Sequence, residues 1–134
     1  MDGQPVWGAK GRLLVVAGTC RVERAGVDGV AVVVAVGEFD LATSDRLREA
    51  LESAVSEVGP RVVVDLSDTS FLDSSCIGVL VVAGRDAHAN GGWVRLLTPH
   101  DNVRRVLALT QVDELLGAYD DVGSAIAAPS GSWA

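Results

Sequence analysis

At 134 residues, 49% of them apolar, with a formal net charge of −7, the chain suits one domain that buries about two-thirds of the surface its unfolded form exposes. Its apolar residues are mostly Val, Ala and Leu with few aromatics, which excludes a disordered chain and fits a compact α/β protein. A lone lysine, Lys10, and scattered arginines exclude a nucleic-acid-binding face, and no apolar run approaches the roughly 18 residues that span a bilayer.

Residues 1–12 carry Gly, Pro and Gln without periodicity and read as a flexible leader; residues 129–134 read as a flexible tail, leaving 13–128 as the domain. Lys10 and Arg12 before Leu13–Cys20 look faintly like a lipoprotein signal. That apolar run is shorter than an h-region of roughly 7 to 15 residues, and Asp2 sits where a signal is basic, so the chain reads as soluble. Leu13–Arg24 is expected as a first strand and Val30–Val36 as a second, joined by a hairpin turn through Ala25-Gly26-Val27-Asp28-Gly29. The unbroken Val/Ala run of the second predicts burial on both faces. Leu47, Ala50, Leu51, Ala54, Val55 and Val58, opposite Arg46, Arg48, Glu49, Glu52 and Glu57, predict an amphipathic helix ended by Gly59-Pro60.

Arg61–Leu66 is expected as a third strand. Ser74 or Ser75 then opens a helix running to about Asn90, closed by Gly91-Gly92. Trp93–Leu97 follows as a fourth strand, Pro99–Thr110 as a short helix with Val103, Val106 and Leu107 on one face, Leu115–Tyr119 as a fifth strand and Val122–Ala128 as a last helix. The order ββαβαβαβα implies an α/β fold: a mostly parallel sheet with an antiparallel edge strand, covered by about four helices.

The stretch Asp65–Leu80 carries the chemistry. A short apolar run ends in acids and hydroxyls and turns apolar again, which reads as strand, loop and capped helix. Phe71-Leu72-Asp73-Ser74-Ser75-Cys76-Ile77-Gly78-Val79 resembles the central motif of STAS domains of the bacterial anti-sigma-factor antagonist type. Gly37-Glu38-Phe39-Asp40 resembles the Gly-Glu-(Leu/Phe)-Asp which that family carries between its second strand and first helix, and the element order matches across residues 13–128. Cys76 is a departure, standing where the family usually has glycine, and bears on how closely a partner approaches the helix start.

The resemblance implies a protein that binds an anti-sigma factor with serine kinase activity, frees the sigma factor and is switched off by phosphorylation. By position the phosphorylated serine is Ser74, with Ser75 as the fallback. The implied partner-binding residues are Asp40, Asp73, Ser74, Ser75, Cys76, Val79 and Val82; a phosphoserine phosphatase is the implied second partner, and no cofactor, metal or catalytic activity is implied. Phosphate on Ser74 would be repelled by Asp68 and Asp73 and attracted by the helix N–H groups, which favours a switch acting at the surface over one that refolds the chain.

Other residues carry less. Cys76–Ala83 is apolar all round, either a buried pair of helical turns or an apolar patch in which Val79 and Val82, off the main stripe, meet a partner. Asp40 is either a helix cap or a partner contact. Cys20 and Cys76 fit no metal-ligand spacing and read as reduced thiols of a cytoplasmic protein, and His88 and His100 read as surface and loop residues.

Two other functions fit parts of the chain. A receiver-like or phosphatase-like enzyme would use Asp65 at the end of Val62-Val63-Val64, but the acidic pair and the lysine such a site needs are missing. An accessory subunit of a membrane transporter or of a stress-signalling assembly would keep the same fold, since fold does not fix function.

Overall fold

The chain runs β1 (Val6–Trp7), β2 (Leu13–Leu14), β3 (Thr19–Arg24), β4 (Val30–Phe39), α1 (Ser44–Glu57), β5 (Arg61–Leu72), α2 (Ser74–Ala89), β6 (Trp93–Leu97), α3 (Asp101–Leu109), α4 (Val112–Leu116), β7 (Ala118–Tyr119) and α5 (Val122–Ala127). This computed structural model describes residues 6–7, 13–14, 17–26, 29–98 and 101–129. The sheet order is β3-β4-β5-β6-β7, with β3 antiparallel to β4 and every other pair parallel.

The Val/Ala run of β4 is buried on both sides, as its unbroken apolar character predicts. Ala31, Val33 and Ala35 join Leu47, Leu51, Leu80 and Leu107 in the larger core, whereas Val30, Val32, Val34 and Val36 meet Val63, Leu97 and Ala125 in a smaller one. Phe39, Leu47, Leu66, Leu80 and Leu96 are fully buried, each contributing about 1.5–3 kcal/mol relative to exposure. Arg95 ties α5 to the thinner face: it stacks 4.0 Å over the Trp93 ring and donates to the carbonyls of Ala125 and Pro129 at 2.8 and 3.0 Å.

The boundaries depart from expectation in five places, the first being β4, which pairs with β5 past Val36 as far as Phe39 and so takes Gly37, Glu38 and Phe39 into the strand. The first strand of the sheet is Thr19–Arg24, because its antiparallel ladder with β4 begins at Thr19 beside Val36, whereas Ala17 bridges Glu38 in the parallel sense; Leu13–Leu14 pairs instead with Val6–Trp7. β5 continues past Leu66 to Leu72, accommodating two register shifts against β4, with Thr69 Oγ1 donating to the Ala35 carbonyl at 2.8 Å. This puts Asp65 in mid-strand, where its carboxylate accepts from the Ser67 N–H at 2.9 Å, and removes the strand-end aspartate on which a receiver-like site depends.

The other two lie after β6. Leu115 and Leu116 belong to α4, a fifth helix, and only Ala118–Tyr119 pairs with β6; Gly117 at φ 82° separates the two elements. The short helix expected over Pro99–Thr110 is Asp101–Leu109. Pro99, His100, the Val27-Asp28 part of the hairpin turn, and nearly all of the expected leader and tail lie outside the described residues.

Candidate functional site at the start of α2

β4 and β5 run parallel and in register at their ends, Phe39 beside Leu72, so the loops that follow them leave the sheet side by side. The Asp73 N–H donates to the Phe39 carbonyl at 3.1 Å, and the Cys76 thiol lies 3.5 Å from the Asp40 carbonyl. The two motifs, more than thirty residues apart in sequence, therefore form one surface.

Each loop is organised by an aspartate that folds back on the chain after it. Asp40 Oδ1 accepts from the N–H groups of Ala42 and Thr43 at 3.0 and 3.2 Å, an Asx-type turn that leads into α1. The Asp40 N–H in turn donates to Thr43 Oγ1 at 3.0 Å. Asp73 is the N-cap of α2, and this corrects the expectation that a serine caps the helix. Its Oδ1 accepts from the N–H groups of Ser75 and Cys76 at 3.0 and 3.2 Å and from Ser75 Oγ at 2.5 Å. A carboxylate outcompetes a hydroxyl here because it is an ionised, acceptor-only group facing several donors at a positive helix end. The Ser75 hydroxyl holds the Asp73 carboxyl below its ordinary range.

Satisfying Ser75 leaves Ser74 over. Ser74 is the first residue of α2, exposed, and its hydroxyl makes no hydrogen bond among the described residues. The amides of Ser75 and Cys76, which the sequence offers as attractors for a phosphate, are already taken by Asp73. A phosphate on Ser74 would lie beside a carboxylate with those two donors occupied.

The remaining candidates divide by burial. Cys76 is fully buried, so its side chain faces the Asp40 loop and not the surface. Burial raises its thiol to about 11 and that of Cys20 to about 12, and both are neutral near pH 7. Ile77 and Leu80 point into the core, whereas Val79 is half-buried and Val82 is 46% exposed. Both valines line a groove of about 620 Å³ between α1 and α2. His88 lies on the exposed side of α2.

Leu41 escaped sequence reasoning, and Phe71, the first residue of the motif, is given no surface role there. Leu41 is 76% exposed in the loop after β4, and Phe71 is 47% exposed near the end of β5, so each of the two loops carries a large exposed apolar side chain close in sequence to its aspartate. The available signal was position: Leu41 directly follows Asp40, and Phe71 precedes Asp73 by two residues. Asn102 at the start of α3 steadies the same end of the sheet by donating to the Ser70 carbonyl at 2.9 Å.

Comparison with known proteins gives this geometry a context. The STAS domain model matches residues 21–125. A crystal structure of an anti-sigma factor antagonist from Mycobacterium paratuberculosis is 30% identical and superposes with a TM-score of 0.69, covering 84% of this chain and 96% of that one. A Thermotoga maritima protein provisionally named anti-sigma factor antagonist is 33% identical over 66 residues, 49% of this chain and 58% of the relative; the match thus spans little more than half of that protein. The anti-sigma F factor antagonist of Paenibacillus polymyxa is 27% identical over 99 residues, 73% of this chain and 85% of that protein.

Proposed function

Because the chain belongs to the STAS domain family, we propose that it is an anti-sigma-factor antagonist whose unmodified Ser74 face binds an anti-sigma factor, itself a serine kinase. The carrying observation is the division of labour between the two serines: the Ser75 hydroxyl is spent on Asp73, and the Ser74 hydroxyl is exposed and unbonded among the described residues. The kinase transfers the γ-phosphoryl of ATP to Ser74 Oγ, releasing ADP and the hydroxyl proton. This adds about −1.5 to −2 charge at the start of α2, on a face whose two loops also expose Leu41 and Phe71. A face that offers a partner an uncharged hydroxyl then carries a charge that cannot be buried without a matching cation. The chain is a substrate in this reaction, a phosphoserine phosphatase restores the docking face, and the cytoplasm is the proposed site of action. No helix among the described residues is long and apolar enough to cross a membrane.

The test is incubation of the purified chain with its anti-sigma factor and ATP, followed by mass-spectrometric mapping. Acid-stable phosphate on Ser74 is expected, and Ser74→Ala should abolish labelling while keeping the complex intact. Equal labelling of Ser75, or an acid-labile acyl phosphate, would sink the assignment.

A further inference from the structure

The groove between α1 and α2 runs beyond the neighbourhood of Ser74. On α2 its lining recurs as Ser75, Val79, Val82, Asp86 and Asn90, a stripe along the whole helix, about 22 Å at roughly 1.5 Å per residue. The floor is Leu51, Val62 and Val94, all but fully buried, and the walls are open: Val55 and Val82 are 41% and 46% exposed. Beside them an added Cβ on Gly78 would meet nothing within 4 Å, so the side of α2 is unfilled.

Three charged residues line the rim, Arg48, Glu52 and Asp86. Arg48 is paired with Asp45, and Asp86 with Arg85 at 3.6 Å, whereas Glu52 meets no cation among the described residues. The unbalanced charge at the rim is thus the carboxylate of Glu52, beside an apolar trough on a chain of net charge −7. The walls are helices whose backbone groups are internally bonded, so a strand could gain no main-chain pairing here, and the open top does not enclose a small ligand.

We propose that this groove receives a basic amphipathic helix of the partner, of about four turns, laid apolar side down with a Lys or Arg opposite Glu52. The proposal rests on the antagonist reading and deepens it. Ser75 lines one end of the groove, so the docked helix would end beside Ser74 and its modification would act on that terminus.

The test uses the full chain and a synthetic helical peptide of about 16 residues with a leucine stripe flanked by lysines, beside a control with glutamates in place of the lysines. Amide shifts should be confined to residues 48–56 and 75–90, and affinity should fall with added salt. Gly78→Leu fills the trough and should weaken binding at least about tenfold without lowering the melting temperature, since glycine is a poor helix former. Glu52→Lys, on an exposed helix surface, should weaken it about two- to fivefold. Shifts elsewhere, equal binding of the acidic peptide, no binding, or insensitivity to both substitutions would overturn the proposal. So would a concentration-dependent dimer dispersed by Gly78→Leu, which would assign the groove to a second copy of the chain. Phosphorylation of Ser74 is read in a separate assay, so loss of peptide binding with labelling retained refutes the groove alone, and loss of labelling with groove binding retained refutes the Ser74 switch alone.

Discussion

The loop after β4 and the loop after β5 solve the same local problem and leave different residues over. In both, an aspartate folds back to accept two backbone N–H groups and one hydroxyl: Ala42, Thr43 and Thr43 Oγ1 for Asp40, and Ser75, Cys76 and Ser75 Oγ for Asp73. After β4 the hydroxyl residues that follow are sealed, Thr43 at 5% and Ser44 at 6% exposure. After β5 one of the two stands in solvent. The proposed modification site is therefore the hydroxyl that capping leaves unused, not the one that capping spends.

That contrast breaks most visibly under charge. Thr43→Glu forces a longer, charged side chain into the place of a buried hydroxyl, and a loss of at least about 3 kcal/mol, roughly 10 °C in melting temperature, is expected by calorimetry. Ser74→Glu adds the same charge to a solvated position. Its melting temperature should stay within about 2 °C of the parent while affinity for the anti-sigma factor falls at least about tenfold. Equal destabilisation by the two would erase the distinction between the loops.

Removal of the caps comes next in size. Asp73→Ala strips the acceptor from two amides and a hydroxyl and should cost about 1–2 kcal/mol in denaturant unfolding, with a new pull on the helix start as the Ser75 hydroxyl is released. Asp73→Asn should cost less and changes the pH response. The Asp73 carboxyl titrates below its ordinary value of 3.8, chiefly because the Ser75 hydroxyl bonds its charged form. A group lowered on folding stabilises the fold above its unfolded value and loses that contribution as pH falls through the folded one. The parent should therefore lose the contribution of this cap only below about pH 4, whereas the asparagine variant should show no such component in acid unfolding curves.

The smallest expected effect is at the bridge between the loops. With Cys76 raised to about 11 and Cys20 to about 12 by burial, both thiols are protonated near neutral pH and should resist iodoacetamide until the chain unfolds. Native-state alkylation of Cys76 at the rate of an exposed thiol would mean that the two loops part from one another.

Much of this architecture is legible in the sequence because it rests on local pattern. The Val/Ala run of β4 announces burial on both faces, Gly59-Pro60 stops α1, and Trp93–Leu97 is found where its pattern places it. The misses are where a longer-range contact outweighs local preference. Leu115 and Leu116 are apolar enough for a strand, yet the left-handed Gln111 at φ 61° starts a helical turn that buries Leu116 with Val112. Ser67–Leu72 reads as a loop for its acids and hydroxyls, yet pairing with β4 draws it into the sheet.

Taken alone, the residue order determined the class of the fold, the strand buried on both faces and the short stretch that holds the proposed acceptor hydroxyl, all consequences of hydrophobic periodicity and of residues next to one another. Only the tertiary structure decided which acid caps α2, which serine is left in solvent and that Asp40 shares a surface with Ser74. Those outcomes depend on the parallel register of Phe39 beside Leu72, a pairing between distant segments that nothing in either segment by itself specifies.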